Sequence, residues 1–354
     1  MCPFTVKRKV LLMLKSKDLM PKVGSGVLVR AVALCVGQGD STLYFIKDGA
    51  RYATLLADIN QSEDLGLDVP ELLKAVLGSR PLDIFLNTHP HADHLCGIKE
   101  LDAKVGFKSV MHADYDPGKH ANDGWDEFKK IVERKQKANP SSVIEIDGSY
   151  KSQKLFDAQL HVLAPAEYVL DDTEEKSREV RRELIHENCV VFKIGKNAAW
   201  VLQPGDADYK AFKNHIFTAH KKDLGAKVLL ASHHGSKYFF WDDGKCEDEE
   251  AWTDHLCAID PNSVIISAPR RHESRFDHPD PEAVKLYEEQ VGSGEVYHTG
   301  AKRHSFIVDI FEDGQIGKVT SDEGGLMDEF QLGKEKPFRT PTFLAGDRKP
   351  RQFG

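Results

Sequence analysis

Asn87-Thr88-His89-Pro90-His91-Ala92-Asp93-His94 constrains this chain more than any other stretch, because three histidines and an aspartate crowd one short turn. Leu82-Asp83-Ile84-Phe85-Leu86 before it has the apolar character of a buried strand, and Leu95-Cys96-Gly97-Ile98 behind it begins a short helix. The polar residues therefore lie on the turn that leaves a strand, where loops carry chemistry on a rigid support. His89, His91 and Asp93 alternate along the chain, while Asp93 and His94 are adjacent. On a tight turn the alternate residues can face one ion and the adjacent pair a second beside it. Imidazole nitrogen and carboxylate oxygen suit zinc, with manganese or iron as alternatives. A histidine-rich surface turn without metal is the plainer reading of a lone histidine; four such residues after a strand argue against it.

The chain has 354 residues, of which 40% are hydrophobic and 29% charged, enough for a large core in a soluble globular protein. Its longest apolar runs, such as Val228-Leu229-Leu230-Ala231, fall far short of the ~20 residues of a membrane span, so no membrane association is expected. Val10-Leu11-Leu12-Met13-Leu14 follows a basic start but is too short for a signal peptide, which makes a cytoplasmic location the default. The six cysteines form no Cys-x-x-Cys pair and read as reduced thiols. A net charge of −8 opposes wholesale coating of a phosphate backbone, although a local basic groove is compatible with it. The basic segments around Lys129 to Lys137, Arg178 to Arg182 and Arg270 to Arg275 read as solvated faces.

Residues 27 to 58 pattern as a β-meander, with Gly37-Gln38-Gly39-Asp40 turning between the first two strands. A helix is expected over 65–77, with Pro70 near its start and Gly78 as its stop. Beyond the histidine turn, helices are expected over 126–137, 172–184, 207–220 and 281–290. Strands are expected over 109–112, 143–146, 159–163, 190–194, 199–202, 227–231, 263–267, 295–298 and 305–311. Two similar halves facing each other would make an α-β-β-α sandwich whose loops meet at one edge. The expected division is an N-terminal extension over 1–26, one main domain over 27–318 and a C-terminal tail over 319–354.

A two-metal centre needs further ligands, and two strand ends downstream offer them. Leu202-Gln203-Pro204-Gly205-Asp206 ends in a Gly-Asp turn whose carboxylate could bridge two ions, and Ser232-His233-His234-Gly235-Ser236 carries adjacent histidines. Each is weak alone, but their order after His-x-His-x-Asp-His is specific. Together with Val36-Gly37-Gln38-Gly39-Asp40-Ser41, Leu56-Ala57-Asp58, Asn188-Cys189-Val190-Val191 and His278-Pro279, this set resembles the metallo-β-lactamase superfamily, and within it the hydrolase domain of ComEC-type DNA-uptake proteins. The resemblance spans about residues 27 to 311.

The resemblance implies an α/β fold, the αββα metallo-β-lactamase sandwich, and two divalent ions, zinc first and manganese second. It implies that His89 and His91 hold one ion, Asp93 and His94 the other, and that Asp206 bridges. One of His233 and His234 completes the second ion's shell, and the other faces the substrate with His278. Asp58 orients a ligand. Asp93, His233, His234 and His278 are the catalytic candidates, the aspartate orienting the nucleophile and the histidines binding or protonating the substrate. In two respects the chain departs from the common pattern. Asn188 stands where many members carry a further histidine, with His186 as its rival, and Cys96 replaces the first glycine of a Gly-Gly pair. His112, Asp114, His120, His272 and His304 could line a pocket, but each alone reads better as surface or core polar filling.

The function implied is hydrolysis of a phosphodiester, nucleic acid included. Hydrolysis of a lactone, thioester or β-lactam ranks below it. From a different class comes an interaction protein whose metal site is structural, with a protein partner such as a component of a multi-gene bacterial defence complex. The sequence leaves oligomeric state open.

Overall fold

The computed structural model describes residues 13–61, 66–118, 121–150, 152–246 and 250–333. The first half of the chain supplies β1 (Val27–Ala33), β2 (Thr42–Asp48), β3 (Arg51–Ala57), β4 (Leu82–Leu86), β5 (Phe107–His112) and β6 (Val143–Glu145). The second half supplies β7 (Gln153–Leu155), β8 (Ala158–Ala164), β9 (Val191–Lys196), β10 (Ala199–Gln203), β11 (Val228–Leu230), β12 (Ser263–Ile266) and β13 (Val296–His298). The chain then returns as β14 (Phe306–Phe311) and β15 (Thr320–Ser321). One sheet has the order β15-β14-β1-β2-β3-β4-β5-β6, and the other β13-β12-β11-β10-β9-β8-β7.

The central strands β4, β10 and β11 are buried along their whole length, while edge strands such as β6 and β7 keep exposed positions. Tyr44, Leu55, Ile84 and Leu86 point between the sheets to meet Phe192, Ile194, Val201 and Leu230. The opposite faces, with Leu43, Phe45, Leu56 and Phe85, pack on helices Val69–Leu77 and Asp123–Ala138 through Leu72, Leu73, Phe128 and Ile131. Behind the second sheet, Leu202, Leu229 and Val264 meet Phe212, Phe239 and Tyr287. Three apolar layers between four structural layers make the expected αββα sandwich. Tyr44 ties the sheets together by donating its hydroxyl to Gln203 Oε1 at 2.8 Å.

Local chemistry sets the element ends. Asp68 caps helix Val69–Leu77 by accepting from Glu71 N at 3.1 Å, and Gly78 closes it. The charged stretch expected as one helix over 172–184 is two, Glu167–Glu174 and Arg178–Glu183, because Ser177 leaves helical geometry and caps the second. The helix expected from Ala207 starts two residues later, at Tyr209, and is π-helical over Ala211–Ile216, with Asp208 accepting from Ala211 N at 3.0 Å. Residues 320–333 add β15 and helix Gly325–Phe330, whose Leu326 and Met327 are buried with the first helical layer. Residues 1–12 and 334–354, the outer parts of both expected extensions, lie outside the described residues, as does His120. Among the described residues no helix is long and apolar enough to cross a membrane.

β3 to β6 run parallel, as do β10 to β13. The loops after β3, β4, β10, β11 and β12 therefore gather at one edge of the sandwich.

Candidate metal centre

Backbone hydrogen bonds lace these loops together. Asp58 N donates to Leu86 O at 2.8 Å, Ile59 N to His94 O at 3.0 Å, and His233 N to Gly205 O at 3.1 Å. Ser232 Oγ donates to the carbonyls of Ala207 and Gly205, and Ser267 Oγ to that of Gly39. Close approach leaves no room for side chains at two glycines. A Cβ at Gly39 would collide with the Asp93 carbonyl, and one at Gly205 would stand 3.0 Å from the Thr88 side chain. Asp58, His233 and His234 hold positive φ values of 57°, 50° and 57°. Each costs on the order of 1–2 kcal/mol for a residue with a Cβ, and such strain concentrates at functional sites.

Two groups of side chains converge at this edge. His89, His91, His186 and Asp206 offer ligand atoms within 4.8 Å of one another, as do Asp40, His94, Asp206 and His234. Asp206 belongs to both. Its Oδ2 lies 3.6 Å from His89 Nε2, and its Oδ1 lies 3.2 Å from His94 Nε2 and 3.5 Å from His234 Nε2. Asp93 Oδ2 approaches His234 Nε2 at 3.4 Å.

The outer hydrogen bonds fix which nitrogen of each ring faces inward. Thr88 Oγ1 has one proton, which goes to Asp58 Oδ2 at 2.6 Å, so the contact with His89 Nδ1 at 3.0 Å must be donated by the ring. His94 Nδ1 donates to Asp58 Oδ2 at 2.8 Å, and His234 Nδ1 to the Ser267 carbonyl at 3.0 Å. In their neutral forms all three rings therefore aim a bare Nε2 lone pair at the cluster. His94 Nε2 and His234 Nε2 stand 3.3 Å apart, two acceptors facing each other beside the Asp206 carboxylate. His91 Nδ1 is 3.1 Å from His89 Nε2 and 3.3 Å from His186 Nε2, and one proton there could serve only one neighbour. Two nitrogens bound to one tetrahedral ion at ~2.0–2.1 Å stand ~3.3 Å apart, so these separations fit the coordination of a shared cation. The His/Asp cluster is of the dinuclear type, with two donor groups joined through Asp206.

Charge follows the same division. Burial, reinforced by His94, lowers the pKa of His89 well below that of free imidazole; burial also lowers His91 and His186. Burial opposes charge on His94 and His234 too, but nearby carboxylates, Asp206 foremost, overcome it and raise both well above the ordinary value. Burial works against ionisation of Asp206, yet His234, His94, His233 and His89 hold it ionised well below the usual carboxylate range. The site thus concentrates negative charge on buried aspartates, and only protons or cations can balance it.

Of the residues singled out in the sequence, His89, His91, His94, Asp206 and His234 enter the two groups directly. Asp93 borders the second and is partly exposed. His233 does not join the second group with His234: the successive left-handed residues separate the two rings by 6.2 Å, and His233 faces His186 at 4.4 Å and His278 at 5.4 Å, with its Nε2 3.8 Å from Asp206 Oδ2. Asn188 lies outside both groups. Its side-chain amide donates to Thr173 Oγ1 and Leu184 O, facing away from the cluster, and His186 occupies the place beside His91. Asp40 is an addition, carried by the Gly37-Gln38-Gly39-Asp40-Ser41 turn; its Oδ1 lies 3.6 Å from His234 Nδ1. His112 bonds the Ala113 carbonyl and His304 bonds Ser321, while Asp114 and His272 are exposed.

The profile of the family described as "Metallo-beta-lactamase superfamily" matches residues 59–183 of the chain. No curated protein matches the sequence. Among solved structures, CmlA, a diiron beta-hydroxylase from Streptomyces venezuelae, is similar at 15% identity and a TM-score of 0.44. That alignment covers 76% of this chain and 52% of CmlA, so the chain matches about half of CmlA's length. The metallo-beta-lactamase fold protein YhfI from Bacillus subtilis is similar at 15% identity and a TM-score of 0.43, over 76% of this chain and 96% of YhfI. A diphosphatase of the PhnP family is similar at 14% identity and a TM-score of 0.39, over 76% and 94% of the respective chains.

Proposed function

We propose that this chain is a metal-dependent phosphodiesterase whose ions are held by His89, His91 and His186 on one side, by Asp93, His94 and His234 on the other, and by Asp206 between them. The observation that carries this reading is Asp206, whose two carboxylate oxygens address different histidine groups. Two divalent ions bound there would supply Lewis acidity and activate water at neutral pH, with zinc first and manganese second among the candidates.

The chain's own residues do the rest. Asp58, Thr88 and the Ser267 carbonyl hold three imidazoles in one tautomer, so the centre needs no reorganisation during reaction. His233, pushed by burial well below the usual imidazole pKa, is neutral at physiological pH, and its ring lies between His186 and His278 on the side away from His94. Its N–H suits a non-bridging phosphoryl oxygen. His278 turns Nδ1 toward Asp280 at 3.7 Å, which leaves Nε2 to pass a proton to the leaving oxygen. Such imidazole donors suit an anionic phosphodiester better than a neutral lactone or β-lactam. The likeness of its motifs to ComEC-type hydrolase domains supports the same choice.

The test is turnover by zinc- or manganese-loaded protein of single- and double-stranded DNA, RNA, cyclic nucleotides and bis-p-nitrophenyl phosphate, against nitrocefin and lactones. Cleavage of any phosphodiester with loss in Asp206→Ala supports the reading. Turnover of nitrocefin or lactones alone refutes it.

A further inference from the structure

Beside Asp93, at the border of the cluster, lies an open cavity of about 400 Å³, walled by Cys96, Pro269, Glu273, Arg275 and Phe276. Phe276 is the unusual member. It is 61% exposed, and its ring lies nearly parallel to that of His278, with centroids 6.3 Å apart and planes at 27°. His278 in turn stands 6.4 Å from His234, so a row of rings leads from the metal-type cluster to the cavity.

The loop holds Phe276 out against solvent. Ser274 Oγ accepts from Phe276 N at 3.2 Å and His278 N at 3.1 Å, and donates to Gln38 Oε1 at 2.9 Å, pinning the loop to the Gly37–Ser41 turn. Asp277, next in the chain, has a left-handed φ of 59°. A lone exposed aromatic ring needs no explanation by itself. One fixed by a strained turn at the rim of a reaction centre, in a cavity large enough for a small organic ligand, is a preformed stacking surface.

We propose that this cavity takes the aromatic or nucleobase portion of a small organophosphate, stacked against Phe276, while its phosphoryl group extends past Asp93 toward the ions of the proposed centre. This rests on the phosphodiesterase reading and narrows it to compact substrates. Charge favours a small ligand over a nucleic-acid strand. Among the described residues lining the cavity Arg275 is the one cation, set against Asp93 and Glu273, whereas tracking a polyanionic backbone takes several lysines or arginines.

The experiment is calorimetric binding of phenyl phosphate and methyl phosphate to the manganese-loaded full chain and to its Phe276→Ala and Phe276→Tyr variants, with bis-p-nitrophenyl phosphate turnover run in parallel. Phenyl phosphate should bind the native protein roughly tenfold more tightly than methyl phosphate, the scale of one aromatic stack. Phe276→Ala should bring the two within about twofold by weakening phenyl phosphate alone, and Phe276→Tyr should keep the preference. Equal affinities in the native protein, or a preference that survives Phe276→Ala, overturns the subsite. Diester turnover alongside equal affinities would overturn the subsite and leave the phosphodiesterase reading standing. A Phe276-dependent preference without any diester turnover would do the reverse.

Discussion

Replacing Asp58 by asparagine exchanges one oxygen for an NH2 group in a side chain with no solvent exposure. Oδ1 accepts from Thr88 N at 2.7 Å and Asn87 Nδ2 at 3.1 Å, and Oδ2 from Thr88 Oγ1 at 2.6 Å and His94 Nδ1 at 2.8 Å. Whichever way the new amide turns, its NH2 meets two donors. If it faces His94, the imidazole is favoured with its proton on Nε2, and the lone pair aimed at Asp206 and His234 is lost. Removing such a partner costs about 10–100-fold in metal affinity, or roughly 1.4–2.7 kcal/mol. Unpaired buried donors should also lower fold stability by about 1–3 kcal/mol. Competition with a chromophoric chelator measures the first quantity and urea unfolding of metal-free protein the second. Unchanged metal affinity in a folded Asp58→Asn variant would refute the claim that this carboxylate sets the ring's tautomer.

His186→Ala should weaken binding of one ion about 10-fold or more and leave the other in place, whereas Asn188→Ala should spare both; titration stoichiometry distinguishes them. His233→Ala should keep both ions and lower kcat on bis-p-nitrophenyl phosphate by about 10²-fold or more, and loss of metal with activity would contradict its placement on the substrate side. His255 is fully buried, stacked on Trp252 at 4.4 Å, with no hydrogen-bond partner for either nitrogen among the described residues, and burial pushes its pKa down to about 3. The unfolded chain takes up that proton first, so this contribution is fully present above the free imidazole pKa and is lost as pH falls from about 6.5 toward 3, at up to about 1.4 kcal/mol per pH unit. Urea midpoints across that range should fall less steeply in His255→Leu; identical pH slopes would refute it.

Most strands and the histidine turn were legible because each depends on local pattern, while the short β7 and β15 were not. β4 reads as a short apolar run broken only by Asp83, and crowded histidines and aspartate on a strand-to-helix turn have few other uses. The division of labour between His233 and His234 was not legible, since it depends on two successive left-handed residues and on a carbonyl at Ser267 reached only after folding. His186 and Asn188 differ by two positions in a stretch without regular structure, and only its path across the edge shows which one faces His91. Asp40 escaped notice as a cluster member because a Gly-Gln-Gly-Asp turn reads as a hairpin connection. Helix Asp254–Ile259 was missed for want of length: six residues carry too little periodicity to be seen against their neighbours.

If one carboxylate, Asp206, joins two ions as proposed, manganese titration followed by electron paramagnetic resonance should show two ions per chain with an exchange-coupled signal at saturation, and loss of that coupling in Asp206→Ala. A single ion per chain, or two with independent signals in the native protein, would contradict it.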